Sequence, residues 1–395
     1  MHATSILRRC LSSVLGPMHA ARSRRLLAAV EALIRGRRLT LTDLSRSWPR
    51  PTWKHASLKA LDRLLSNPRL HQAIVPLHQA MVAWLIRQPH PVVLVDWSDL
   101  KGDQRWCFLR AAVPMGGRAL TVYERIFPLR RLGQPRAQRE FLRELKRLLP
   151  ATVCPILVTD AGFRSDWYRA ARALGWHFIG RLRNNTHVRA APDDAWVPCA
   201  SLHRRISDGV HELGDYTLVK GQPMAARLVL ARHRKGRGRH AHSTPLPRGT
   251  NDRKCRKRAR EPWLLVTSLP VHDRSASRVT AAYAQRMQIE EAFRDLKSHR
   301  YGVAFEDSLT RRCQRLAVLL LLHALASFAA WLMSLASATS VQPDPMTRQP
   351  RHRCRYSQQR RGREWLRRKR LPREIRAALS LSNLRKLRAN IDANG

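Results

Sequence analysis

The stretch "PVVLVDW" at residues 91–97 decides how the rest of the chain is read. Four consecutive apolar residues, three of them β-branched valines, follow Pro91, which is the mark of a short strand buried on both faces. Two further strand patterns come next, "RWCFLRAAV" (105–113) and "ALTVYERIF" (119–127), separated by "PMGGR", whose glycines suit a tight reversal. The pattern then alternates: a helix in "QREFLRELKRLL" (138–149), a strand in "PILVTD" (155–160), a helix in "SDWYRAARAL" (165–174) and a strand in "WHFIGRL" (176–182).

A three-stranded meander followed by helix, strand, helix and strand is the order of a ribonuclease H-like α/β domain with a mixed sheet. Working outward, residues 1–88 read as helical, with apolar residues at helical spacing in "RRLLAAVEALIRG" and "SLKALDRLLSN" and a helix-turn-helix-like unit between them. The catalytic-type domain is expected over 89–340. Inside it, 184–262 is a β-rich insertion with strand-like pieces such as "ARLVLAR" and a basic loop, 232–260, whose only acid is Asp252. "WLLVTSLP" (263–270) returns to strand, and 341–395 forms a basic, partly helical C-terminal region. "LAVLLLLHALASFAAWLMSLASA" (316–338) carries no charge and is long enough to span a bilayer. Its histidine, its serines and its place directly after other domain elements favour a buried core helix.

Charge narrows the partners. The 395 residues include 74 Lys+Arg against 28 Asp+Glu, a formal net charge of +46, so a polyanion is expected and nucleic acid comes first. With 44% hydrophobic residues, most of the chain is expected to fold. Seven scattered cysteines without a CxxC pair argue against a zinc ribbon or a disulfide framework and for a reducing compartment. No signal-peptide pattern is read at the start, and a cytoplasmic location is expected.

Two buried strand patterns end in an aspartate, at Asp96 and Asp160. If the first and fourth strands lie side by side, as in a ribonuclease H-like sheet, the two carboxylates emerge together. A third acid comes from "YAQRMQIEEAFRDLK" (283–297). Read as one helix, it places Tyr283, Arg286, Glu290 and Lys297 within a sector of roughly 60°, beside an apolar sector of Ile289, Phe293 and Leu296. Such a row is a solvated ion-pair face or a ligand-facing one. Asp96, Asp160 and Glu290 together supply hard oxygen donors suited to Mg²⁺ or Mn²⁺, two ions of which can activate a nucleophile and stabilise the leaving oxygen at a phosphodiester. Asp99, Asp103, Asp166, Glu291 and Asp295 are less favourably placed.

Tyr, two residues, Arg, three residues, Glu, six residues, Lys is the spacing of "YAQRMQIEEAFRDLK", and with "VDWS" (95–98), "TDAGFRSDWYRAARALGWHFIGRLRN" (159–184) and "PWLLVTSLP" (262–270) it resembles the bacterial insertion-sequence-four family of DDE transposases, most closely the Tn-ten-like, cut-and-paste, hairpin-forming type. The resemblance implies that Asp96, Asp160 and Glu290 hold two Mg²⁺ or Mn²⁺ ions, and that Tyr283, Arg286 and Lys297 hold transposon-end phosphates. Trp263 stands where the family places an aromatic that stacks a flipped base; a core tryptophan is the other reading. Implied partners are terminal inverted repeats and target DNA, with a homodimer pairing the ends and no membrane. A structure-specific nuclease on the same fold and an inactive DNA-binding repressor are the rival readings.

Overall fold

The computed structural model describes residues 2–49, 53–183, 186–205, 208–232, 261–339 and 356–393. Contacts divide the chain into two compact units, Met1–Val153 with Met287–Gly395, and Cys154–Arg286. This division follows packing and runs differently from the three segments read along the sequence. The basic loop lies, but for Arg232, outside the described residues.

The first unit opens with helices α1 (His2–Cys10), α2 (Ser12–Leu15), α3 (Ala20–Gly36), α4 (Leu41–Arg46), α5 (Lys54–Leu65) and α6 (Pro68–Leu85). Local chemistry sets several starts. Thr40 accepts from the Asp43 amide and donates to its carboxylate at α4, while Asn67 accepts from the Leu70 amide ahead of Pro68 at α6. Strands β1 (Val92–Asp99), β2 (Trp106–Met115) and β3 (Arg118–Pro128) follow as an antiparallel meander turned by Gly116 and Gly117, both at positive φ. A bulge interrupts the β2–β3 register at Ala111/Ala112. Helix α7 (Pro135–Leu148) completes this stretch.

One correction concerns β1. Asp96 does not end the strand: the ladder continues through Trp97↔Leu109, Ser98↔Phe108 and Asp99↔Cys107, because β2 offers buried apolar partners along that length.

The second unit holds β4 (Ile156–Val158), α8 (Ser165–Ala173), β5 (His177–Arg181), β6 (His187–Arg189), β7 (Val197–Pro198), β8 (Gly209–Leu218), β9 (Met224–Arg232), β10 (Trp263–Thr267) and α9 (Ala276–Ala284). Among the described residues of this unit β4 and β5 pair in parallel, while β5–β10, β10–β9, β9–β8, β8–β6 and β6–β7 are antiparallel, so the sheet is mixed. The strands of the insertion therefore extend this sheet rather than forming a body of their own.

The chain returns to the first unit with α10 (Met287–Lys297), α11 (Cys313–Ser337), α12 (Gln358–Arg367), α13 (Arg373–Ala378) and α14 (Leu381–Ala393). Helix α11 is the uncharged stretch of the sequence, and it is the core. Almost wholly buried, it packs against α1, α3, α5, α6, α12, α13, α14 and β3. Among the described residues it is the one helix long and apolar enough to cross a membrane. The C-terminal helices belong to the same core: a Cβ on Gly362 of α12 would stand 1.7 Å from the Ala330 carbonyl oxygen of α11, so the two backbones touch there.

Candidate active site

Across the meander, Asp96 of β1 pairs in register with Arg110 of β2, and Arg110 with Glu124 of β3. Directly opposed residues share one sheet face. Arg110 is 1% exposed and donates from Nε and Nη2 to the same Glu124 oxygen at 2.8 and 2.6 Å. Its guanidinium also lies over the rings of Phe108 and Phe293, 5.1 and 5.2 Å from their centroids. Phe293 belongs to α10, which packs against β1, β2 and β3.

That helix is held at both ends. Gln288 accepts the Met115 amide at 3.1 Å, and Asp295 accepts from Arg118 at 2.7 Å. Ile289, Phe293 and Leu296 are buried, as their spacing predicts, and Glu290, one turn before Phe293, is half-buried. Lys297 is half-buried too. Burial lowers its ammonium pKa from the ordinary value, Arg110 adds to that, and Glu306 and Asp99 oppose it. Strand β1 with Asp96 and helix α10 with Glu290 and Lys297 are thus parts of one packed unit. Of the sequence's less favoured acids, Glu291 and Asp295 pair with Arg294 and Arg118, and Asp166 lies near Arg169.

In the second unit, Asp160 follows β4 by two residues, and its Oδ1 accepts the Gly162 amide at 2.9 Å. Around it lies an aromatic and cationic group. Tyr168 stacks on Phe178, its hydroxyl so close to β5 that a Cβ on Gly180 would stand 2.0 Å away. Its phenol is raised above the ordinary value by burial, with Asp160 and Tyr283 adding. Tyr283 is 3% exposed, and the Trp263 ring meets it edge-on at 5.0 Å. Burial raises the Tyr283 phenol, Arg286 and Arg181 pull it down, Asp160 pushes it up, and Arg286 hydrogen-bonds it. Beside Asp160 a cavity of about 960 Å³ is lined by Ala161, Arg164, Arg181, Arg183 and Lys220 among others.

The row on a single helix is corrected. "YAQRMQIEEAFRDLK" forms two helices, α9 and α10, with turn residues Gln285 and Arg286 between them. The Gln285 and Arg286 amides reach back three residues, to Ala282 and Tyr283, so the last turn of α9 tightens and stops. Tyr283 and Arg286 therefore fall in one unit, Glu290 and Lys297 in the other, and Asp160 belongs to a different unit from Asp96 and Glu290 in the same way. Among the described residues, no three His, Cys, Asp or Glu side chains gather as a metal site.

Residues 87–328 match the family model described as "Transposase DDE domain", more than half of the chain. The chain belongs to that family. Its function is DNA transposition. Among solved structures, the cryo-EM structure of the piggyBac transposase synaptic complex with hairpin DNA is similar at a TM-score of 0.41 and 14% identity, over 99% of this chain and 82% of that one, too distant to bear on the site. No curated protein matches the chain.

The matched span of the transposase holds all seven residues singled out in the sequence, from Asp96 to Lys297. Three it did not single out are Arg110, Glu124 and Arg181. A signal for the first existed: an arginine in the middle of the apolar run "RWCFLRAAV" needs a buried partner, and Glu124 occupies the corresponding place in "ALTVYERIF".

Proposed function

We propose that this transposase is of the insertion-sequence-four type, cutting at the ends of its own element and joining the freed 3′-hydroxyls to target DNA, with Asp96, Asp160 and Glu290 as its three acidic residues. What supports the reading most is that all three fall inside the matched domain, and that the strand carrying Asp96 and the helix carrying Glu290 pack against each other. The donor set suits a hard cation. All three are carboxylates, and two of them, Asp96 on β1 and Glu290 on α10, lie on elements that pack together, a set of hard oxygens that matches Mg²⁺ or Mn²⁺. These residues would hold two Mg²⁺ or Mn²⁺ ions, which when bound would supply nucleophile activation and charge neutralisation at the phosphodiester.

The chemistry is an in-line displacement at phosphorus. One O–P bond forms from water or a 3′-hydroxyl, the P–O bond to the leaving oxygen breaks, and the nucleophile's proton passes to solvent. Lys297 and Arg286 would contact phosphates beside the scissile bond by charge-assisted hydrogen bonds. Tyr283 is buried and would act through Arg286, holding the guanidinium in place. Trp263, packed on Tyr283, completes that support and would lie where a hairpinned end is stabilised. A homodimer pairing two element ends, in a bacterial cytoplasm, belongs to the same proposal.

The experiment is cleavage and strand transfer on terminal-repeat DNA with Asp96→Asn, Asp160→Asn and Glu290→Gln, each beside a binding assay. Loss of both reactions with end binding retained is expected for all three. A variant that still cleaves in Mg²⁺ removes its residue from the triad, and breaks without joined products from the native chain would make it a nuclease.

A further inference from the structure

In the first unit, a cleft of about 450 Å³ opens between α10, the turn after it, Arg37 at the end of α3, and α12. None of the seven residues singled out in the sequence lines it. Its lining holds seven arginines and three carboxylates. The carboxylates are already engaged: Asp295 with Arg118 at 2.7 Å, Glu291 with Arg294 at 2.8 Å, and Glu364 with Arg367 at 2.5 Å. Positive charge is left over, and Arg363 shows it most clearly, since its Nε is buried without a hydrogen-bond partner among the described residues. Burial holds its guanidinium below the ordinary value, Arg37 and Arg360 push the same way, and Asp295 and Glu364 oppose them.

A half-buried guanidinium whose Nε is shut away from water and unmet, beside further cations, costs free energy unless an anion completes it. The walls are built to keep that geometry. Gly302 brings the turn so close to α10 that a Cβ there would lie 2.3 Å from the Asp295 carbonyl oxygen, and Gly362 seats α12 against α11. The cleft is therefore shaped before any ligand arrives.

We propose that this cleft binds a phosphate group, with Arg363 and Arg360 as its principal donors, at a place separate from Asp96 and Glu290. Guanidinium forks match phosphate oxygens in a way that a merely cationic surface does not. The phosphate comes either from a DNA backbone or from free inorganic phosphate, and the two sources separate experimentally.

The test uses the full chain without divalent metal, so it does not depend on cleavage and fails independently of the transposition chemistry proposed above. One arm titrates inorganic phosphate and follows the thermal midpoint; the other measures affinity for a random-sequence duplex across a salt series. The variants are Arg360→Gln with Arg363→Gln, Arg360→Gln alone at its exposed position where the fold is not at stake, and Arg130→Gln, exposed and outside the cleft. If the source is DNA, the slope of log K against log salt becomes shallower by about 0.9 for each backbone phosphate that the cleft variants no longer neutralise, and stays as it was in Arg130→Gln. If the source is free phosphate, the duplex slope stays and the phosphate-dependent rise in midpoint disappears from the cleft variants alone. Cleft variants that match the native chain in both arms, or an Arg130→Gln variant that loses as much as they do, would overturn the site.

Discussion

Glu124→Leu tests whether the sheet face beneath the proposed site is closed to water. Arg110 is 1% exposed and Glu124 8% exposed, and the pair is closed by two hydrogen bonds to one carboxylate oxygen. Removing Glu124 takes from a guanidinium between two phenylalanine rings the carboxylate that accepts both of these hydrogen bonds, and breaking such a pair costs about 3–5 kcal/mol. At about 2–4 °C per kcal/mol for a unit of this size, the thermal midpoint should fall by on the order of 10 °C. Arg110→Met with Glu124→Leu removes both charges and replaces them with apolar volume, so most of that loss should return, since apolar replacement of a buried pair is often neutral. Activity should not return with it, because Arg110 is the cross-strand neighbour of Asp96 and packs on the Phe293 ring one turn from Glu290. Scanning calorimetry of Glu124→Leu, Arg110→Met and the double variant, beside a cleavage assay on each, completes the cycle. A Glu124→Leu midpoint within about 1 °C of the native one, the small shift expected of a surface substitution, would refute the reasoning.

Acid should weaken the first unit through its histidines. His78 and His323 are buried, and burial lowers both from the ordinary 6.5, His323 far below it. Unfolding lets each bind a proton the folded form refuses, so stability is full above about pH 6.5 and falls below it, by up to ~1.4 kcal/mol per pH unit per histidine. His323→Leu should flatten the fall of thermal midpoint between pH 7 and 5, and an unchanged slope would remove His323 from the account. Gly362→Ala should lower the midpoint by the equivalent of about 1–3 kcal/mol, since α12 must move off the Ala330 carbonyl, and calorimetry reads it directly. Tyr283→Phe keeps the ring contact with Trp263 and removes the hydroxyl that Arg286 bonds. Cleavage should fall while chemical-denaturation stability changes by no more than about 1.5 kcal/mol, whereas equal cleavage by both forms would end the supporting role given to Tyr283.

Much of the local structure was legible because apolar periodicity carries it. The order of β1 to β5, the buried sector of Ile289, Phe293 and Leu296, and the uncharged stretch around Ala324 as a core helix all follow from which residues must leave water. What was not legible depends on partners distant in the chain. Asp96 looks like a strand end because aspartate disfavours strands, yet Phe108 and Leu109 opposite carry the ladder three residues further. "YAQRMQIEEAFRDLK" has good helix formers at Gln285 and Arg286 and nothing in it marks a stop. The interruption lies where one packed unit gives way to the other, a property of tertiary contacts rather than of local propensity. The insertion's strands, for their part, give no sign in their own residues that β9 will pair with β10 across an intervening segment.

The arginine excess has a second use besides nucleic acid. Arg388 donates to the Trp84 and Leu85 carbonyls at the end of α6, Arg367 to the Ile34 carbonyl near the end of α3, and Arg9 to the Leu379 carbonyl just past α13. Arg227, buried in the second unit, spans Glu212 and the carbonyls of Leu269, Pro270 and Arg274. The last turn of a helix leaves carbonyls without amide partners, and a cation there also meets the favourable end of the helix dipole. A guanidinium can serve two or three such oxygens at once while its stem packs on apolar neighbours, which a lysine ammonium does less well. Part of the +46 charge is therefore committed to holding helices and loops in place. Substitutions that strip arginines to improve handling should be chosen with this in mind: Arg130 or Arg143, both exposed, are safe positions, whereas Arg388→Lys should lower the melting temperature even though the net charge is unchanged.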